Sequence, residues 1–155
     1  MRQSLKTPDD TEALGGRLAA ARPPALEPPA ILYLTGDLGA GKTTLVKGFA
    51  RACGIPAPVR SPTYTLVNTH EVGMLTLVHL DLFRLRDPAE LEHLGLREWA
   101  RPGCLWLIEW PERAGGLLPH PDLTVRLAAG PDAHQAEVFP GSAAGSAWLE
   151  RLRSS

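Results

Sequence analysis

Eight residues limit what this chain can be more than all the rest: Gly36-Asp37-Leu38-Gly39-Ala40-Gly41-Lys42-Thr43. Their spacing, G-x-x-x-x-G-K-[ST], is that of a phosphate-binding loop set between a strand and a helix. Four fixed positions at ordinary residue frequencies coincide in fewer than about one chain of this length in a hundred. The flanks agree. Ala30-Ile31-Leu32-Tyr33-Leu34 is a short apolar run without helical period, so it is predicted as a buried strand. Lys42 to Cys53 is predicted as a helix, with Leu45, Phe49 and Ala52 inward and Gly54 where a capping glycine belongs.

Each position of the loop has a chemical reason. Glycines let the backbone curl so that successive N–H groups face one phosphate. The helix behind adds its positive end. Lys42 is a mobile point charge for the outer two phosphates. The Thr43 hydroxyl is an oxygen ligand for Mg²⁺, which keeps several waters and takes few protein ligands. Thr44 can donate a hydrogen bond to the innermost phosphate. A magnesium nucleotide also needs a carboxylate at the end of a neighbouring strand. Asp81, after Leu77-Val78-His79-Leu80, and Glu109, after Leu105-Trp106-Leu107-Ile108, both qualify, and the choice between them stays open. Thr63 and Thr65 flank Tyr64 in a loop that could sense the γ-phosphate, though a threonine pair also suits a strand. The guanine-reading series Asn-Lys-x-Asp is missing, since Asn68 is the one asparagine and no lysine follows it. ATP is therefore preferred over GTP.

The rest of the chain alternates in the same way. Thr7-Pro8-Asp9-Asp10 starts a helix that carries Leu14 and Leu18 and fades by Arg22-Pro23. Ser61 to Val67 is loop entering strand, and Met74 to Phe83 is strand, the two forming a hairpin across Glu71-Val72-Gly73. Asp87-Pro88 opens a helix running to about Leu96. Cys104 to Ile108 is a second buried strand, Leu123–Leu127 and Glu137–Phe139 are late strands, and Ser142 caps a closing helix with Trp148, Leu149 and Leu152 inward. These alternations predict one α/β domain over residues 1–155, a layered fold with a central, largely parallel or mixed sheet flanked by helices. Residues 1–29 form its N-terminal helix and loop, and 141–155 its C-terminal helix or tail.

Composition excludes other classes. A net charge of −1 supplies no basic field for DNA or RNA. Cys53 and Cys104 are too few and too far apart for a zinc site or a disulfide framework, and are expected as buried free thiols. No apolar run reaches membrane-spanning length and Met1 to Asp10 contains no signal-peptide core, so a cytoplasmic location is expected. His79 is expected as a satisfied core histidine, the scattered His70, His93, His120 and His134 as no metal site, and Trp99, Trp106 and Trp148 as packing residues. Trp110, next to Glu109, is placed at the site mouth.

The motifs together resemble the TsaE family, bacterial P-loop ATPases required for threonylcarbamoyladenosine in tRNA. The resemblance is carried by Gly36 to Thr44, Ser61-Pro62-Thr63-Tyr64-Thr65-Leu66-Val67 and His79-Leu80-Asp81-Leu82-Phe83-Arg84-Leu85. Glu90-Leu91-Glu92 with Gly95, and Ile108-Glu109-Trp110-Pro111, complete it. It spans roughly Thr11 to Phe139. It implies that Gly39, Ala40, Gly41, Lys42, Thr43 and Thr44 hold the phosphates of ATP. Thr43 and Glu109 would contact Mg²⁺, with Asp81 the carboxylate needed for hydrolysis. Thr65, with Thr63, would belong to a switch loop. Thr11 would approach the base or sugar, and Trp110 would sit beside the site. The implied partners are TsaD and TsaB, whose complex ATP hydrolysis would reset; tRNA is met only indirectly. Two departures stand out: Phe83 replaces the family's usual tyrosine, and His134 falls where an arginine often lies near the nucleotide. His134 is left out of the site accordingly.

Two other functions share the phosphate loop. A small-molecule kinase would need a basic lid, for which Arg84, Arg86, Arg97 and Arg101 are candidates, although their acidic neighbours suit a solvated face. A nucleotide-dependent binding module would need no hydrolysis at all.

Overall fold

The apolar runs of the sequence form the middle of a seven-stranded sheet in the computed structural model, which describes residues 1–155. The elements in chain order are β1 (Arg2–Leu5), α1 (Pro8–Ala20), β2 (Ala30–Thr35), α2 (Lys42–Ala52), β3 (Val67–Val72) and β4 (Leu75–Asp81). Then come β5 (Cys104–Glu109), β6 (Leu123–Ala128), β7 (His134–Pro140) and α3 (Ala143–Arg153). Across the sheet the order is β1-β7-β6-β2-β5-β4-β3. The four central strands, β6, β2, β5 and β4, are mutually parallel, and β1, β7 and β3 add antiparallel edges.

Both faces of the centre are covered, which explains a feature of β4. Its apolar residues do not alternate cleanly, because all seven are buried. Leu75 and Leu77 join the core under the α-helices, with Leu14 and Leu18 of α1, Leu45 and Phe49 of α2, and Trp148 of α3. Val78 and Leu80 face the opposite core, with Trp106 and Ile108 of β5. A strand buried on both sides needs apolar residues in both phases.

That second core is roofed by 3₁₀ turns rather than by an α-helix. The helix expected from Asp87 starts as the sequence indicates, with Asp87 and Glu90 forming a reciprocal cap and Pro88 in the first turn. It is 3₁₀ over Pro88–Leu94, ends at Gly95 with φ 67°, and a second 3₁₀ turn covers Leu96–Trp99. Leu91 and Leu94 both pack into this core at a spacing of three, the period of a 3₁₀ turn.

Helices α1 and α2 lie against each other closely enough that backbone meets backbone. A Cβ at Gly48 would run into the carbonyl of Glu12, so only glycine fits there. Two further elements differ from the sequence expectation. The N-terminal segment contains β1, which pairs with β7 and closes an edge through Arg2 and Glu137, 2.5 Å apart. Phe83 lies beyond the end of β4, past Asp81. No helix is long and apolar enough to cross a membrane. Cys104 is buried and Cys53 half-buried, both free, and burial pushes the Cys53 thiol up from its ordinary value.

Candidate functional site

Parallel strands deliver their C-terminal ends to one edge, and three of those ends meet here. Asp81 of β4 stands in register with Glu109 of β5, and Glu109 with Leu34 of β2. In such sheets the crevice beyond the strand ends is where ligands bind. The loop Gly36–Gly41 leaves β2 at this edge and turns into α2. Gly41 caps the helix with φ 103°, a conformation L side chains rarely adopt, and its Cβ position lies 3.3 Å from the Thr11 methyl. No side chain caps the first turn of α2, so its N–H groups are left to an incoming anion.

Lys42 projects from that turn and is buried. Its ammonium donates to the carbonyls of Gly36, at 2.6 Å, and Asp37, at 2.8 Å. It also lies 4.1 Å above the Trp110 ring centre. Three donors minus two carbonyls leave one N–H for the cleft. Burial pushes its pKa below the ordinary lysine value, against the opposing pull of Glu109, Glu112, Asp81 and Asp37. Trp110 itself holds φ 58°, unusual for a bulky residue and of the kind that clusters at functional sites.

The two carboxylates are held differently. Glu109 accepts from the Thr43 hydroxyl at 3.2 Å through Oε2, and its Oε1 lies 2.7 Å from Nε2 of His79. Asp81 accepts from the Ser61 hydroxyl and, at 3.1 Å, from the N–H of Phe83. Glu109 therefore touches the phosphate helix, and Asp81 touches the loop ahead of β3. A hydroxyl and two carboxylates with no sulfur make a hard, oxygen-donor set. No three His, Cys, Asp or Glu side chains are grouped to hold a metal by themselves. Such a set fits Mg²⁺, which takes few protein ligands and completes its shell with water and phosphate oxygens.

A cleft of about 470 Å³ joins Gly39, Gly41, Lys42, Thr43 and Thr44 to Asp81, Glu109 and Trp110, with Thr63 on its far wall. A smaller one of about 250 Å³ continues past Gly39, Gly41 and Thr44 to Thr11 and His134. Ala40 is buried within the loop. Of the expected residues Thr65 alone stands apart: it is exposed and its hydroxyl reaches only the Val67 carbonyl, at 3.5 Å. Its neighbour Thr63 lines the cleft instead.

Four residues that sequence reasoning passed over belong to this setting. His79 is the core histidine expected of it, but its partner is Glu109 and its Nδ1 is left unsatisfied. The signal was there, since His79 and Asp81 are two apart on one strand and so share a face. Ser61 binds Asp81, a contact between segments twenty residues apart that no local pattern encodes. His134 lies 3.1 Å, through Nδ1, from the Ala40 carbonyl, so this position borders the loop although it lacks a fixed charge. Arg84 is exposed, as expected of a solvated face, but it also lines the cleft, its guanidinium 4.8 Å over the Tyr64 ring. Arg97 and Arg101 do pair with surface acids, Glu92 and Glu71. Trp106 and Trp148 pack as expected, each donating its indole N–H to a backbone carbonyl.

Comparison with known proteins points to one family. A family model described as threonylcarbamoyl adenosine biosynthesis protein TsaE matches residues 5–137. The tRNA threonylcarbamoyladenosine biosynthesis protein TsaE of Haemophilus influenzae is 43% identical over 109 residues, covering 70% of this chain and 69% of the relative. Its namesake from Bacillus subtilis is 39% identical over 132 residues, covering 85% and 80%. The crystal structure of Bacillus subtilis YdiB superposes with a TM-score of 0.80 at 31% identity, covering 99% of this chain and 94% of that one.

Proposed function

Because this chain belongs to the TsaE family, we propose that it binds and hydrolyses ATP with Mg²⁺ in the making of threonylcarbamoyladenosine in tRNA. The pathway is supported by the names its relatives carry, and the chemistry by one observation. The Thr43 hydroxyl, at the positive end of α2, lies within hydrogen-bonding distance of a strand-end carboxylate, Glu109, beside a second, Asp81. Loop amides and Lys42 bind the phosphates, and Thr43 and Glu109 hold the metal. The bound Mg²⁺ neutralises charge on the outer phosphates. Asp81 orients the attacking water, and its bond to Ser61 ties that role to the loop carrying Thr63, Tyr64 and Thr65, which responds to the γ-phosphate. Thr11 borders the nucleoside end and Trp110 the mouth. The chain works as one domain in the cytoplasm, with the TsaB–TsaD complex as its partner, and meets tRNA only through it.

Turnover alone should be slow. Arg84, the arginine that lines the cleft, lies over the Tyr64 ring, and Arg113 lies over Phe83, so neither guanidinium is free to serve as an arginine finger. The test is titration with fluorescent ATP with and without Mg²⁺, followed by hydrolysis with and without TsaB and TsaD. Lys42→Ala should lower affinity by about 100-fold, as expected for losing charge-assisted hydrogen bonds worth about 3 kcal/mol. Unchanged binding by that variant, or rapid turnover indifferent to both partners, would overturn the proposal.

A further inference from the structure

Position 79 lies in the middle of a strand whose neighbours in the same core are leucines, and a leucine there would be the simplest choice. The chain has instead an imidazole with no exposed surface, the one fully buried histidine of five. One ring nitrogen, Nδ1, has no hydrogen-bond partner, which burial makes costly. The other, Nε2, sits 2.7 Å from Oε1 of Glu109. His79 and Asp81 project from the same face of β4, and Asp81 is in register with Glu109, so the imidazole reaches Glu109 from the diagonal position. The Thr43 hydroxyl lies 3.2 Å from the remaining oxygen of Glu109, Oε2, and 3.4 Å from Oε1.

We propose that His79 is a positioning residue for the cation site: its Nε2–H holds Oε1 of Glu109 so that Oε2 faces Thr43 and the metal. The inference rests on the Mg²⁺–nucleotide reading above. The hydrogen must be on Nε2, because a ring lone pair aimed at a carboxylate oxygen at this distance would be repelled. Nδ1 is then left without any hydrogen-bond contact. Without that donor, the Glu109 carboxylate is free to rotate about its own side-chain torsions, and the two ligand oxygens lose their mutual geometry. Partners one step behind a metal ligand act in this way, fixing the ligand's orientation and its basicity.

Three proteins test it: the wild type, His79→Leu, which keeps the bulk without the donor, and His79→Gln, which returns an N–H at similar reach. ATP affinity in chelator should stay within about twofold of wild type in both variants, since the loop amides and Lys42 do not involve His79. The apparent Mg²⁺ affinity at saturating ATP should fall about 10–100-fold in His79→Leu and recover most of that loss in His79→Gln. Raised Mg²⁺ should restore the turnover of His79→Leu. Wild-type Mg²⁺ dependence in His79→Leu, or equal loss in both variants, would show that the ring only fills space. Nitrogen spectra of the wild type, labelled at histidine, test the bond without any variant: a hydrogen on Nε2 is expected, and a bare Nε2 overturns the proposal. If the wild type gains no ATP affinity from Mg²⁺, the nucleotide reading fails, and the spectra still decide whether His79 donates to Glu109.

Discussion

Lys42 shows how one residue carries opposing demands. The phosphate loop needs a cation, yet the turn that presents it buries the ammonium against two carbonyls and an indole. Burial outweighs the nearby carboxylates and lowers the pKa below 10.5. A lysine whose folded pKa is depressed binds its proton more weakly folded than unfolded, so the unfolded chain holds more protons in that range and stability rises with pH. The stability of wild type relative to Lys42→Met should therefore increase as pH climbs from neutral through the depressed value towards 10.5. Urea midpoints of both proteins across that range measure the difference, in which other titrating groups cancel. A flat difference would mean that the two carbonyls and the carboxylates fully compensate for burial.

At the scale of elements, the site depends on how closely α1 packs on α2. Thr11, on α1, lies against Gly41 of the loop, so the angle between the helices sets one wall of the smaller cleft. That approach requires Gly48, where a Cβ would meet the Glu12 backbone. Gly48→Ala gains helix propensity, about 1 kcal/mol in an exposed helix, but overpacks a contact that side-chain rotation cannot relieve. The net effect should be destabilisation by about 1–3 kcal/mol, read from urea unfolding. ATP binding should weaken as well, because the helices are forced apart beside the loop. Gly16→Ala is the control. Its Cβ would come no closer than 3.8 Å to Ala52, and stability should be unchanged or slightly raised.

For the whole molecule, the closing helix α3 is a structural clamp. Ser142 caps it and also donates to Asp122, at 2.5 Å, and Asp122 accepts the N–H of Ile31 at the start of β2. Trp148, with no exposed surface, packs in the main core and donates its indole N–H to the Leu18 carbonyl of α1, 2.9 Å away. Trp148→Ala should cost about 3–5 kcal/mol, checked by guanidinium unfolding. The affinity of the molecules that remain folded for ATP should hardly change, since Trp148 lines neither cleft at the phosphate loop. A large loss of affinity at constant folded fraction would mean that α3 acts on the site through α1.

Local signals determined a good part of this protein. Glycine spacing and an adjoining lysine named the loop, unbroken apolar runs named β2 and β5, and Asp87-Pro88 marked the start of its turn correctly. All of these depend on residues within a few positions of one another. The four residues of β1 did not declare themselves, because Arg2, Gln3 and Ser4 are polar and only Leu5 is buried. Their strand exists through its pairing with β7, over a hundred residues away. The apolar runs before them singled out Asp81 and Glu109 as carboxylates at strand ends. That the two stand side by side follows from the register of β4 on β5. The bond of Glu109 to His79 came from the same pairing, and that of Asp81 to Ser61 from the loop ahead of β3. Hydrogen-bond partners far apart in sequence are chosen by the packing of the sheet, and no window along the chain contains both members of the pair.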